Sequence, residues 1–264
     1  MCCRAMSKSV HRTGRQRFGR RKAAIACLRR SRCFGQTENG RCRNPFVAVL
    51  RGGRLFSQKY GMSATHSAVA AAQDTVPAGR ALDMGCGQGR NALFLGLKGF
   101  DVTAADCNPA ALANVAELAE AEGLNVRTLE YDLNAAALQG EFDYIVATVV
   151  LMFLMPQRVP DVIADMQAHT AAGGYNLIVS AMDTADFPCP MPFPFKFKEG
   201  ELKDYYRDWE LVEYKEELGA MHAKDENGNP IRFKFVTMLA KNQDKPRRTM
   251  PSEPEKAFRR HFYV

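Results

Sequence analysis

Ala81-Leu82-Asp83-Met84-Gly85-Cys86-Gly87-Gln88-Gly89-Arg90-Asn91 is a short apolar run that ends in an acid and passes into three glycines at alternate positions. Leu93, Phe94, Leu97 and Phe100 follow at helical spacing, so the segment reads as a strand, a tight turn and a helix N-terminus. Glycine reaches φ values closed to other residues and lets the backbone approach a ligand. A helix start offers N–H groups to a negatively charged ligand group. The spacing also separates nucleotide-like ligands. A dinucleotide fingerprint, G-x-G-x-x-G, would place its third glycine at position 90, which is Arg90.

The G-x-G-x-G form after a strand-ending acid resembles motif I of the class I S-adenosylmethionine-dependent methyltransferases. The resemblance implies that Asp83 lies near the methionine part of that cofactor. A Gly-rich turn without chemistry is the plainer alternative, and features further along the chain set it aside. Asp106 ends the next apolar run, 17 residues past Gly89, and an acid there in a βαβ unit takes ribose hydroxyls. Asn108-Pro109 caps and opens a helix that Gly123 closes. Asp132 follows the run Val126–Tyr131. It resembles the adenine contact of the same family, in which Asp132 accepts from the exocyclic amine and Leu133 supplies a backbone N–H. The same resemblance adds Gly85, Cys86, Gly87, Gly89, Arg90, Asn91, Cys107 and Thr148 to the cofactor contacts.

The rest of the body alternates strand and helix patterns. A helix is expected from Ser63, its cap, to Gln73. Phe142 to Ala147 is a continuous apolar run, suited to a strand covered on both faces. Thr148-Val149-Val150-Leu151 lacks the acid or Asn, prolines and aromatic of enzymes that methylate base amines, so Val150, Met152 and Phe153 read as packing. A helix from Pro156 to Thr170, a turn at Gly173-Gly174 and a strand from Tyr175 to Ala181 come next. Prolines 188, 190, 192 and 194 alternate with Cys189, Met191 and Phe193, which predicts a stiff extended loop. A short helix, Glu199 to Tyr206, precedes strands Trp209–Glu217 and Ile231–Ala240, joined through Asp225-Glu226-Asn227-Gly228-Asn229. The prediction is an α/β, Rossmann-like, doubly wound, mostly parallel seven-stranded sheet with an antiparallel C-terminal edge hairpin. Ligands of such sheets bind at the carboxyl ends of the strands, where Asp83, Asp106, Asp132 and Thr148 all fall.

The net charge of +7 hides a division. Residues 1–54 hold 15 of the 36 bases and one of the 29 acids, which leaves 21 bases and 28 acids for the remainder. The body is therefore acidic, and the basicity belongs to the N-terminal segment. That segment fits a nucleic-acid arm by charge and a transit peptide by its Arg excess, though Ser is sparse. The reading adopted is an over-extended start or a disordered tail without an evolved role. Its apolar periodicity is poor, and the spacing of Cys27, Cys33 and Cys42 matches no common zinc site. No metal is expected. Residues 242–264, with three prolines among charges, read as a second flexible tail, leaving 55–241 as the domain. No apolar run reaches the roughly 18 residues of a membrane span. Three scattered body cysteines fit a reducing cytosol, so a cytoplasmic location is expected.

From Phe56 to Lys241 the chain closely resembles the TehB family of tellurite-resistance methyltransferases. The resemblance rests on Lys59-Tyr60, Thr65-His66-Ser67, Asp83 to Asn91, Thr148 to Leu154, Gly173 to Val179, Ser180 to Asp186, and Phe193-Pro194-Phe195 running into Phe197 to Leu202. It implies S-adenosylmethionine as cofactor and tellurium or selenium oxyanions as acceptors. The chain departs from the family at Ala223 and Pro230, where members tend to carry Arg; Lys224 and Arg232 lie nearby. Lys is a point charge and does not reproduce an Arg fork.

Attack on an activated sulfonium needs positioning and water exclusion more than a base. An oxyanion acceptor needs cationic or N–H donors. His222 is the catalytic candidate, and Tyr60, His66, Lys198 and His222 are the substrate-side candidates, with Arg90 adjoining. Each has a plainer role as a structural histidine, a solvated charge or a helix surface group. An RNA methyltransferase would need a basic body, and the body is acidic. A cofactor-binding regulator without catalysis is the reading from another class. A small oxyanion is the expected partner, membrane and nucleic acid are not, and a homodimer is compatible with all of this.

Overall fold

The computed structural model describes residues 55–243 apart from 225 and 227, without the side chains of 221–224. The expected N-terminal extension, and the C-terminal tail from residue 244 onward, lie outside the described residues.

Local signals set several boundaries directly. Strand β1 (Arg80–Met84) passes through the glycine loop into α3 (Arg90–Leu97); α1 (Leu55–Tyr60) and α2 (Ser67–Ala71) precede it. Strand β2 (Asp101–Asp106) leads to α4 (Pro109–Glu122). Asn108 Oδ1 accepts from the N–H groups of Ala110 and Ala111, and Gly123 ends the helix at φ 65°. Such a cap is worth about 1 kcal/mol. Strands β3 (Val126–Glu130) and β4 (Phe142–Thr148), helix α5 (Val159–Ala168), strand β5 (Thr170–Ala181), helix α6 (Glu201–Tyr205) and strands β6 (Glu210–Lys224) and β7 (Pro230–Lys241) complete the order.

The seven strands form one sheet in the order β3-β2-β1-β4-β5-β7-β6. The first five are parallel, and β7 runs antiparallel to both β5 and β6. This is the doubly wound sheet with an edge hairpin that the alternation predicts. One face carries α1 to α4, where Leu93, Val115 and Phe100 pack on Ala81, Val102 and Val146. The other carries α5 and α6, where Val162, Ile163 and Leu202 pack on Leu82, Ile145 and Ile178. Period-two alternation in β1 and β4 sends neighbouring apolar residues to opposite faces, so both faces are buried.

Several local expectations change, and the helix expected from Pro156 to Thr170 is regular only over Val159–Ala168 because Thr170 opens β5. The helix expected from Ser63 begins at Ser67, capped by His66, because 61–66 is irregular and Thr65 and His66 bond to the start of α3 instead. The turn expected at Gly173-Gly174 lies inside β5. There the N–H of Gly173 and the carbonyl of Gly174 pair with Asn242, and Asn242 Nδ2 donates to the carbonyls of Thr170 and Ala171. Asn242 thus belongs to the sheet edge rather than to a tail. The last strands are also longer than their apolar runs suggest, since β6 and β7 continue into the hairpin.

Candidate active site

The carboxyl ends of β1 to β5 and the hairpin end of β7–β6 share one edge of the sheet. Asp83, the penultimate residue of β1, lies there with 1% of its surface exposed. Its Oδ2 accepts from the N–H of Ala92 at 3.0 Å, so the acid caps α3. Burial, with the nearby Asp106 carboxylate adding to it, raises its pKa from 3.8 to about 7 against the opposing Ala92 N–H and Arg90 charge. A buried carboxylate so placed gains from a cationic ligand group.

The glycine loop is held tightly. The N–H groups of Gly85 and Cys86 both donate to Ala105 O, and Gly89 N–H donates to Cys86 O. Gly87 N–H donates to Asp106 Oδ2 at 2.8 Å. All three glycines have positive φ, for separate reasons. A Cβ on Gly85 would fall 2.3 Å from Val150 Cγ2 and one on Gly89 2.6 Å from Val115 Cγ2, whereas one on Gly87 would meet nothing within 4 Å. Gly85 and Gly89 therefore permit packing, and Gly87 faces open space at the carboxyl edge. Cys86 is buried, with its thiol against Gly87 O. Burial, reinforced by the Asp83 and Asp106 carboxylates, pushes that thiol well above the usual range, so it stays protonated.

Asp106 also accepts from Asn108 N–H through Oδ1 at 2.9 Å. Each carboxylate oxygen has a second lone-pair direction, so the acid can brace the loop and still accept from ligand hydroxyls. Cys107 beside it is exposed. Asp132 is exposed, and its Oδ1 accepts from both Asn134 N–H and Asn134 Nδ2 at 3.0 Å, while Leu133 is buried. Among the described hydrogen bonds Asp132 Oδ2 has none, which suits an amine-bearing ligand edge.

Asn91 joins the two sides of the site. Its Oδ1 accepts from His66 N–H at 3.0 Å, and its Nδ2 donates to Thr148 Oγ1 at 2.9 Å. Thr65 Oγ1 donates to Arg90 O. The segment 61–66 is thereby fixed against the start of α3 and the end of β4. His66 Nδ1 accepts from Ala68 N–H at 3.2 Å. Burial, together with the charge of Arg90, lowers its pKa to about 4. The imidazole is thus neutral at neutral pH, with Nε2 carrying the proton as a donor.

Two substrate-side expectations are redirected. Tyr60 donates its hydroxyl to Glu122, which also pairs with Lys59. Glu122 ends α4, about 20 Å along the helix from its Asn108 cap, so Tyr60 lies toward the opposite end of the sheet. Its family motif marks an anchor for α1. Lys198 is 67% exposed and paired with Asp183 Oδ2 at 2.9 Å, so its charge is already matched. His222 lies on β6, within the register shift between Ala220 and Lys224, near the hairpin turn at the carboxyl edge. The side chains of His222, Ala223 and Lys224 lie outside the described set.

One feature of the site has no sequence signal. Val149, directly after Thr148, has φ 57°, an uncommon conformation for a β-branched residue. Its N–H donates to Val179 O at 2.7 Å. The bend drives Val150 under Gly85 and seats Val149 in a cluster with Met152, Phe193 and Phe233. Strain of this kind collects at functional sites.

Among the described residues no helix is long and apolar enough to cross a membrane, and no group of three or more His, Cys, Asp or Glu is arranged to hold a metal ion. A family model described as Tellurite resistance protein TehB matches residues 49–239. The chain is 61% identical over 186 residues to Hemagglutinin 1 of Eikenella corrodens, covering 70% of this chain and 62% of that one. It is 54% identical over 188 residues to a Probable S-adenosyl-L-methionine-dependent methyltransferase TehB of Haemophilus influenzae (strain 10810), covering 71% and 66% respectively. It thus spans somewhat under two thirds of the length of these relatives. The crystal structure of TehB from Haemophilus influenzae is similar with a TM-score of 0.71 at 52% identity, covering 72% of this chain and 67% of that one. With the strand order, the glycine loop and these matches together, the chain belongs to the TehB family.

Proposed function

We infer that this chain is an S-adenosylmethionine-dependent methyltransferase of small oxyanion acceptors, with tellurite, toward which the family name points, and its congener selenite as the substrates. The observation that carries the reading is where the glycine loop sends its N–H groups. Those of Gly85, Cys86, Gly87 and Gly89 are all bonded within the protein. A phosphate cradle keeps such groups for the ligand. The same carboxyl edge carries three acids instead: Asp83, Asp106 and Asp132. That set suits a ligand rich in donors and free of phosphate, with an ammonium, ribose hydroxyls and an exocyclic amine. S-adenosylmethionine has those groups. When bound, it supplies a methyl group activated on a sulfonium.

In this reading Asp83 holds the ammonium, Asp106 the ribose hydroxyls and Asp132 the adenine amine. Gly87 lets the ligand lie against the loop, and Thr148 marks the passage to the acceptor side. His66 Nε2–H and the Arg90 guanidinium are the donors for an acceptor oxygen, and His222 is the proposed further donor from the hairpin. The names of the Haemophilus influenzae relatives support the cofactor. Calorimetry with S-adenosylmethionine, followed by transfer of labelled methyl to tellurite, selenite and RNA in parallel, tests the whole reading. Binding with transfer to tellurite or selenite is expected. Binding without transfer to any acceptor would favour the regulator, and transfer to RNA alone would favour the RNA enzyme.

A further inference from the structure

The proline-alternating loop is not used by the reading above. It leaves the sheet at Met182 and returns at Phe197, which pair as a parallel bridge. Its feet are tied: Phe197 N–H donates to Ala181 O, Asp183 N–H to Phe197 O, and Phe195 N–H to Met152 O. Asp183 Oδ1 accepts from Cys189 N–H, and Asp186 pairs with Lys234. The four prolines stay exposed, and period two turns Phe187, Cys189, Met191 and Phe193 to the other side. There they join Val149, at the end of β4, and Phe233 on β7. Phe193 meets Phe153 and Phe233 edge-on at 5.3 and 5.7 Å. Phe187, Cys189 and Met191 remain half-buried, and Phe153 is 52% exposed, so this apolar face still meets open space.

The inner face of the strap meets Val149, one residue beyond Thr148, with aromatic rings and sulfur, groups that offer no hydrogen-bond donor of any strength to an inorganic oxyanion. Of the three cations beside it, Lys198 and Lys234 are matched by Asp183 and Asp186, and Lys196 Nζ donates to Met191 O at 3.3 Å. Burying a hydrated oxyanion against such a face without donors is costly. Rings and thioethers instead suit soft, polarizable, apolar groups. We propose that the strap binds the apolar substituent of a soft chalcogen nucleophile, a small organic thiolate or selenolate, giving the same site a second class of methyl acceptor. The proposal rests on the methyltransferase reading above. The thiol loses its proton to solvent before entry. A lone pair of the thiolate sulfur then forms the new S–CH3 bond, and the methyl–sulfonium bond breaks with its electrons staying on the donor sulfur. The two charges cancel, leaving a methyl thioether and S-adenosylhomocysteine, with no oxidant or reductant required.

The test compares 1-butanethiol with hydrogen sulfide, which has the same nucleophilic atom and no apolar substituent, using the full chain, calorimetry of cofactor binding and a no-protein control. The expected kcat/KM, expressed per anion present at the assay pH, is at least tenfold higher for 1-butanethiolate than for hydrosulfide. Met191→Gln removes most of that ratio, Met191→Leu restores it, and cofactor affinity stays within twofold in both. Independently of turnover, butyl methyl sulfide added to the cofactor-free protein shifts the Met191 methyl resonance, identified by its loss in the Met191→Leu spectrum. Equal kcat/KM per anion for the two acceptors, or an unmoved Met191 resonance, overturns the proposal while leaving the methyltransferase reading in place. Failure to bind S-adenosylmethionine overturns that reading and the proposal with it.

Discussion

Beside β1, β2 and β3, the site is made of backbone turns and acids within 50 residues of one another in sequence; past β4, β5 and β7 it is made of side chains gathered from four separate stretches. On the first side the N–H groups of Gly85, Cys86, Gly87 and Gly89 are bonded inward, and one added methyl group at Gly85 is enough to collide with Val150. On the second side the strap is fixed at its feet and half-open along its inner face. Fixed geometry suits a cofactor of one shape. A half-open apolar face suits acceptors that differ in size. In the proposed reading, cofactor recognition falls to a rigid loop and the acids beside it, and acceptor choice to side-chain packing.

The sharpest way to break this contrast is at Gly85. Gly85→Val adds a β-branched side chain at φ 68°, into the Val150 methyl, and is expected to destabilise the fold by about 5 kcal/mol. Gly87→Ala, with nothing near its new methyl, is expected to cost only about 1–2 kcal/mol while lowering cofactor affinity more than tenfold. Denaturant melts and calorimetry on the two variants read both effects. Equal loss of stability would show that the loop glycines have one role, not two.

Next is the charge of Asp83. Its folded pKa is raised to about 7 from 3.8. The buried neutral form therefore contributes stability fully below pH 3.8, and this is lost as pH rises through 7. The ligand-free protein is expected to lose up to about 4 kcal/mol across that window, and Asp83→Asn to abolish the slope in urea titrations at several pH values. Cofactor binding should strengthen over the same window, because an ammonium needs the carboxylate form.

Asp106→Ala is expected to weaken S-adenosylmethionine by about 1.5–3 kcal/mol, the scale for hydrogen bonds to a charged group. The loss includes the bracing of Gly87 and Asn108, so Asp106→Asn should recover part of it. Unchanged affinity by calorimetry would remove Asp106 from the ribose site. The smallest effect belongs to the acceptor side. Lys198→Met breaks an exposed ion pair at the foot of the strap and should change stability by less than about 1 kcal/mol. Acceptor KM is expected to move while cofactor affinity does not. A change in cofactor affinity would join the two halves that the geometry separates.

What could be read from the chain follows the same division. Asn108 and Gly123 set the ends of α4 because capping satisfies groups only a few residues away. The glycine run, Asp106 and Asp132 were legible because each sits where a strand pattern stops. Their other partners were not. The bond from Gly87 N–H to Asp106, and that from His66 N–H to Asn91, span 19 and 25 residues, and nothing in either segment announces the other. Tyr60 shows the converse. A motif residue drew a functional expectation, and packing assigned it to Glu122.

The order of strands and helices, the face each apolar run presents and the acids at the strand ends were determined by the sequence itself. They depend on periodicity and on residues within one turn of each other. Tertiary structure decided the rest. It placed Gly173-Gly174 inside β5 by pairing them with Asn242, matched Lys198 to Asp183, bent Val149 to positive φ and laid the strap over the ends of β4 and β7. Each of those outcomes is a contact between segments distant along the chain, where burial and pairing override what the local residues prefer.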